Sequence, residues 1–355
     1  MRRLIAIAIL FLSPTLAYQT ETLLDNLDTI WEISFAPDGR MFITERSGIL
    51  SVYQDGELKP LAKLEVVGDE QGEPGLMGFA LDPEFPKEPY LYLCYTYDDN
   101  NTLDDGAWNR LQRFRLEGGQ AVPDKILVDG MRGGWSHNGC RVKFAPDGTL
   151  FFTMGDGGQM ELAQDLKSLN GKVMRINKDG SIPSDNPFPG SPIYTYGHRN
   201  PQGLDFHPVT GIPYETEHGP SENDEVNRLL PGRNYGWPEV GGTRKVGDYE
   251  PALWAWSPTV APAGIAFDGP DTLYLGTLRN RRLYRLEVSP EGTVNRPRQV
   301  VPELGRVRVR AVTKGPDGCL YVSTSTQNGH GRPDGQGNLV SNKVVKICDL
   351  TGGSR

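Results

Sequence analysis

The feature that most constrains this chain is a short pattern that returns six times. Phe35-Ala36-Pro37-Asp38-Gly39, Phe144-Ala145-Pro146-Asp147-Gly148 and Gly315-Pro316-Asp317-Gly318 are nearly superimposable, and each runs into an alternating apolar stretch. Three looser copies lie between them, at Leu81-Asp82-Pro83, Phe206-His207-Pro208 and Phe267-Asp268-Gly269-Pro270. Each copy reads as a β-hairpin: a hydrophobic run, a Pro/Asp/Gly turn, then an aromatic or β-branched run. A lone hairpin cannot bury both faces, so the units must pack on one another. A large sandwich with coincidental turns would do this, but regular return of one unit favours radial packing of four-stranded blades. The expected fold is therefore all-β, a six-bladed β-propeller with four-stranded antiparallel blades, over residues 18–355 as one catalytic domain. All-β units of this length occur as single domains.

The first residues read differently. Arg2 and Arg3 precede an apolar stretch from Leu4 to Leu12, a Ser13-Pro14 break and small residues to Ala17. That is the layout of a signal peptide over residues 1–17, cleaved after Ala17, and the apolar stretch is short for a bilayer span. The mature chain is expected in the periplasm or secreted, without stable membrane insertion. Export permits disulfides among Cys94, Cys140, Cys319 and Cys348. Cys319 and Cys348 fall in the last two strand-like runs and form the first pair to test, with buried free thiols the alternative. No CxxC pair is present, which argues against a zinc site built on cysteines. A net charge of −8 and the lack of any Lys/Arg block exclude a nucleic-acid partner.

Propeller ligands bind where loops from several blades converge on the central channel, so functional residues should be scattered along the chain. Four stretches stand out. His137 in Trp135-Ser136-His137-Asn138 and Asp156 in Gly155-Asp156-Gly157-Gly158 could form a base with its orienting carboxylate, or His137 could be satisfied by backbone. Arg199 and Asn200, in a Gly-bounded loop, suit a planar oxygen-bearing ligand, or Arg199 is a strut between blades. Glu217 to Asn227 groups hard-oxygen donors in a Gly/Pro loop, the chemistry Ca2+ selects, although a solvated acidic loop reads the same way. Finally Arg279-Asn280-Arg281-Arg282 and Arg306-Val307-Arg308-Val309-Arg310 gather guanidiniums, with Arg308 and Arg310 on one strand face. They suggest a pocket for a small polyanion, or an exposed, salt-bridged face.

Together these residues resemble the soluble glucose/sorbosone dehydrogenases that use pyrroloquinoline quinone (PQQ), in particular the aldose sugar dehydrogenases. The likeness covers nearly all of the mature chain. It rests on Ile43–Gly48, Gly75–Phe85, Gly197–Leu204, Glu217–Asn227 with Asn234–Pro238, Pro258–Gly264 and Val307–Gly318. By that resemblance His137 is the base for the C1 hydroxyl of an aldose, oriented by Asp156, and hydride passes to PQQ. Arg199 and Asn200 hydrogen-bond the quinone, with Arg199 stabilising its developing charge. Arg279, Arg308 and Arg310 bind the cofactor carboxylates, with Asn280 beside them, and Trp256 walls the cofactor plane.

The resemblance also implies two Ca2+ ions, one on the carbonyls of Gly219 and Pro220, the other on Glu225, the Tyr235 carbonyl and Asp224. Glu73 stands in the cofactor-binding set where relatives often carry Gln. A carboxylate there repels a tricarboxylate unless it is protonated or linked to calcium. Ser325 replaces an acidic residue of some relatives, and the segment after Pro238 is trimmed to Gly241–Asp248, which implies a more open site and altered substrate preference. The implied partners are an aldose and an external electron acceptor, with the chain a monomer or weak homodimer. Two other readings remain: a calcium-dependent propeller hydrolase such as a lactonase, which has no use for the arginines, and a non-catalytic propeller that binds sugar or protein.

Overall fold

A computed structural model describes residues 18–67, 72–98, 107–289, 291–325 and 342–349. The expected leader, residues 1–17, lies outside them. The six repeats become six four-stranded antiparallel sheets arranged as blades. Among the described residues there is no α-helix, only the 3-10 turns Met160–Ala163 and Pro302–Leu304.

Each blade begins at the channel and works outward. The inner strands are Ile30–Phe35, Leu76–Leu81, Val142–Phe144, Pro201–Phe206, Pro262–Phe267 and Arg308–Lys314, and each contacts the next around the ring. Ring closure comes from the chain's start: Tyr18–Leu27 pairs antiparallel with Asn342–Asp349 as the outermost strand of the sixth blade. That pairing ties the two ends of the described chain into one sheet and leaves the ring no long free inner edge. Between blades, apolar side chains form the core. Phe42, Phe79, Leu91 and Leu93 fill the contact between the first and second blades, and Tyr92, Leu111, Phe152 and Met174 that between the second and third.

Two disulfides are present, Cys319–Cys348 and Cys94–Cys140. The first is the pair singled out from the sequence. The second joins the second strand of blade two to the approach of blade three, and with it the alternative of buried free thiols is overturned. No described helix is long and apolar enough to cross a membrane.

The connectivity decides where function can sit. Inner strands all start, and second strands all end, at the same face of the ring. Linkers between blades and the loops after second strands therefore meet at that face, while the Pro-Asp-Gly turns lie at the other.

Candidate active site at the channel mouth

His137 lies in the linker between blades two and three, at φ 62°, a left-handed conformation uncommon for a residue with a side chain. Neighbouring loops hold it there. Its backbone N–H donates to Glu73 Oε2 at 2.8 Å, and its ring Nδ1 lies 2.7 Å from Asp156 Oδ1. Asp156 is 1% exposed and accepts two further bonds, from the Gly158 N–H at 2.8 Å and from Trp237 Nε1 at 2.9 Å. A carboxylate so placed holds the proton on Nδ1 and leaves Nε2 basic, on a side chain 17% exposed. The close approach needs Gly155: a Cβ there would stand 2.1 Å from the His137 carbonyl oxygen.

Arg199 and Asn200 sit in the next linker, between blades three and four. Arg199 donates through Nη1 to the carbonyls of His218 and Gly219 at 3.1 and 3.0 Å, and its guanidinium lies 5.3 Å from the Trp237 ring. Its Nε is buried without a partner, and burial lowers its pKa. Asn200 is fully buried; its Nδ2 lies 3.2 Å from both Glu73 oxygens, and its Oδ1 accepts the Gly139 N–H at 3.2 Å. Glu73 and Asn200 thus grip the linker that carries His137 from two sides.

Arg308 and Arg310 begin the inner strand of blade six. Arg310 lies 4.2 Å from the Trp31 ring and donates to Gln202 Oε1 at 3.0 Å. Burial, then the charges of Arg281 and Arg46, pull Arg308 down to about 10, still a cation at neutral pH. Arg310 is held well below its ordinary value by burial, then by Arg308. Four guanidiniums with Glu73 as their nearby carboxylate make a mouth that attracts a multiply charged anion.

A cavity of about 190 Å3 opens on the flank, lined in part by Arg199, Gly219, Pro220, Glu225, Tyr235 and Trp237. Its backbone and carboxylate oxygens are hard donors suited to Ca2+. On its wall, burial raises Glu217 to about 7 and Glu225 to about 8.

The structure therefore brings together His137, Asp156, Arg199, Asn200, Glu73, Arg308 and Arg310, and separately Gly219, Pro220, Glu225 and Tyr235. Asp224 lies beside the second group, but its oxygens accept backbone N–H groups of Gly219, Val260 and Ala261 at 2.8, 2.6 and 2.6 Å, bracing the loop. Trp256 is on the outer strand of blade four, packed against Trp254 and Tyr284. Arg279 is exposed and donates to Thr259, and Asn280 donates to the Tyr284 hydroxyl. The charges of Arg281 and Arg46 bear on Arg308. Trp237, which links Asp156 to Arg199, had a visible signal in the Asn234–Pro238 motif but no assigned role.

With this geometry in place, the comparisons decide the family. The model for glucose/sorbosone dehydrogenases matches residues 27–332. The chain belongs to that family. Quinoprotein glucose dehydrogenase B of Acinetobacter calcoaceticus is 33% identical across 71% of this chain and 59% of its own length. Aldose sugar dehydrogenase YliI of Escherichia coli is 31% identical across 87% of this chain and 90% of that one. Among solved structures, a putative glucose dehydrogenase of Thermus thermophilus superposes with TM-score 0.83 at 37% identity, covering 94% of this chain and all 100% of that one. The PQQ-bound aldose sugar dehydrogenase of Streptomyces coelicolor gives 0.80 at 30%, covering 95% and 100%. These family members are glucose and aldose sugar dehydrogenases, which supports an oxidoreductase of that type.

Proposed function

We propose that this protein is an exported, PQQ- and calcium-dependent aldose dehydrogenase that oxidises its sugar at C1 to the lactone and passes electrons to an external acceptor. The observation that carries the reading is the coincidence, at one channel mouth, of a carboxylate-oriented imidazole with a set of guanidiniums, of which Arg46 and Arg310 are buried. The donor set fits the cofactor: PQQ is a planar tricarboxylate, and the mouth offers Arg308, Arg310, Arg46 and Arg281 with few opposing charges.

Bound PQQ would supply the two-electron acceptor that takes the C1 hydride. The protein's own part is proton handling and placement. His137 Nε2 takes the proton of the C1 hydroxyl, and Asp156, hydrogen-bonded to Nδ1, stabilises the imidazolium that forms. Trp237 fixes the other Asp156 oxygen, so the pair stays aligned. Arg199, held against Trp237, presents its guanidinium to the quinone oxygens, while Asn200, buried with its amide on Glu73, reaches them only if it leaves that carboxylate. Gly219 and Pro220 would hold one Ca2+ through their carbonyls, and Glu225 with the Tyr235 carbonyl a second.

The test is to reconstitute the metal- and cofactor-free protein with PQQ and Ca2+ and follow aldose-dependent dye reduction. Activity that needs both additions and vanishes in His137→Ala supports the reading. Lactone turnover without PQQ, or no sugar-dependent reduction, overturns it.

A further inference from the structure

Behind Arg199 the fourth blade holds a polar cluster of which the proposed function uses only Glu225. Glu215 and Glu217 lie two residues apart on the second strand, Pro213–Glu217, and so share a face. Asn227 and Glu225 stand opposite them on the neighbouring strand. His198, from the linker that carries Arg199 and Asn200, turns its ring into this face against Tyr235. The side chains of His198 and Glu215 are 0% exposed and that of Glu217 is 6% exposed.

The hydrogen bonding is incomplete in one place. His198 Nε2 is served by Thr195 Oγ1 at 2.9 Å, but Nδ1 has no partner. Its nearest acceptors, Glu217 Oε2 and Glu215 Oε1, stand at 3.5 and 3.7 Å, long for hydrogen bonds to an imidazole. Glu215 Oε2 and Asn227 Oδ1 are also buried and unpartnered. Buried polar atoms without a partner are costly, and this cluster holds three of them. The spacing has a simple meaning: ligands bonded at ~2.1 Å to a tetrahedral ion lie ~3.4 Å from one another. One atom from each of His198, Glu215 and Glu217 falls within 4.8 Å of the others.

We propose that His198 Nδ1, Glu215 and Glu217 form a site for one divalent transition-metal ion of the Zn2+ class. An imidazole nitrogen with two carboxylates suits such an ion, whereas Ca2+ takes oxygen donors. The site adjoins the calcium position at Glu225, since Asn227 Nδ2 donates to both Glu215 Oε1 and Glu225 Oε2 at 2.8 and 3.0 Å, but it draws on different donor residues. Its consequence is mechanical. Glu217 Oε2 also accepts the backbone N–H of Arg199 at 2.9 Å, so the ion would pin the linker bearing Arg199 and Asn200 to the blade behind it.

Zinc, manganese and calcium per chain are measured in the purified full-length protein, which is then stripped with a strong chelator and titrated with Zn2+ alone while its thermal midpoint is followed. We expect one equivalent of zinc or manganese to survive dialysis, the midpoint to fall on stripping, and Zn2+ to restore it. His198→Gln and Glu215→Gln should each abolish that equivalent and leave calcium unchanged. If a variant fails to fold, the wild-type metal content decides by itself. A wild-type protein without stoichiometric transition metal, whose midpoint ignores Zn2+, overturns the proposal, as does calcium at the site. Zinc without calcium would instead overturn the calcium assignment alone.

Discussion

The two faces of this ring are built by opposite rules. On the turn face, Asp38, Asp147 and Asp317 each accept a backbone N–H two residues on, and Gly39, Gly148 and Gly318 each take a φ of 80–88° with nothing within 4 Å of an added Cβ. On the channel-mouth face the blades share a frame, since Thr44, Thr153, Thr216 and Ser323 each donate to the inner-strand backbone of the next blade, but the loops above it differ. Its glycines are there for crowding: a Cβ on Gly75, Gly155 or Gly219 would stand 2.2, 2.1 or 2.0 Å from the backbone oxygen of Arg46, His137 or Glu222. Repetition marks the frame of the blades, and departure from it marks the candidate site.

Four perturbations break or sharpen that contrast. The largest effect is expected from His137→Ala, which should cost ~10^2 to 10^4 in kcat, the usual contribution of a positioned general base. PQQ affinity, measured by fluorescence titration, should change little. Next, removing either disulfide should lower stability by ~2–4 kcal/mol in denaturant unfolding. The two differ in rate: Cys140 lies three residues after His137, at φ 64°, so Cys94→Ala with Cys140→Ala should also lower kcat, while Cys319→Ala with Cys348→Ala should not.

The glycines give a smaller and cleaner comparison. Gly39→Ala forces a side chain to φ 88° and should cost ~1–2 kcal/mol with sugar oxidation intact. Gly155→Ala must displace the His137 carbonyl, so kcat should fall further than stability. The smallest effect is Asp38→Asn. The hydrogen bond from Arg40 holds the Asp38 carboxyl below its ordinary value. Its stabilisation is therefore present above the unfolded pKa of ~3.9 and is lost as pH falls through the folded value. The variant should flatten that acid limb by less than ~1 kcal/mol in urea midpoints measured from pH 5 to 2.5, because the pair is exposed.

The same contrast explains what the sequence made legible. The propeller could be read because hairpin turns are local: Pro-Asp-Gly and the alternating run after it lie within a dozen residues. The mouth could be read where a loop carries its own chemistry, as with His137, Arg199 with Asn200, and Arg308 with Arg310. Contacts across blades left no such trace. Trp237 reaches an Asp156 81 residues upstream, and Cys94 pairs with Cys140 across 46 residues. His198, Glu215 and Glu217 looked like parts of two motifs already assigned, and only burial sets them apart. The alternation that linked Arg308 and Arg310 could not show that Arg46, buried in the first blade, brings its charge to bear on Arg308 together with the exposed Arg281.

The most direct measurement is equilibrium titration of the cofactor-free protein with PQQ in the presence of Ca2+, for the wild type and for Arg308→Ala. One equivalent taken up by the wild type, with affinity at least tenfold weaker in the variant, is the predicted result, a change of ~1.4 kcal/mol. Failure of the wild type to retain PQQ, or equal uptake by both proteins, would contradict it.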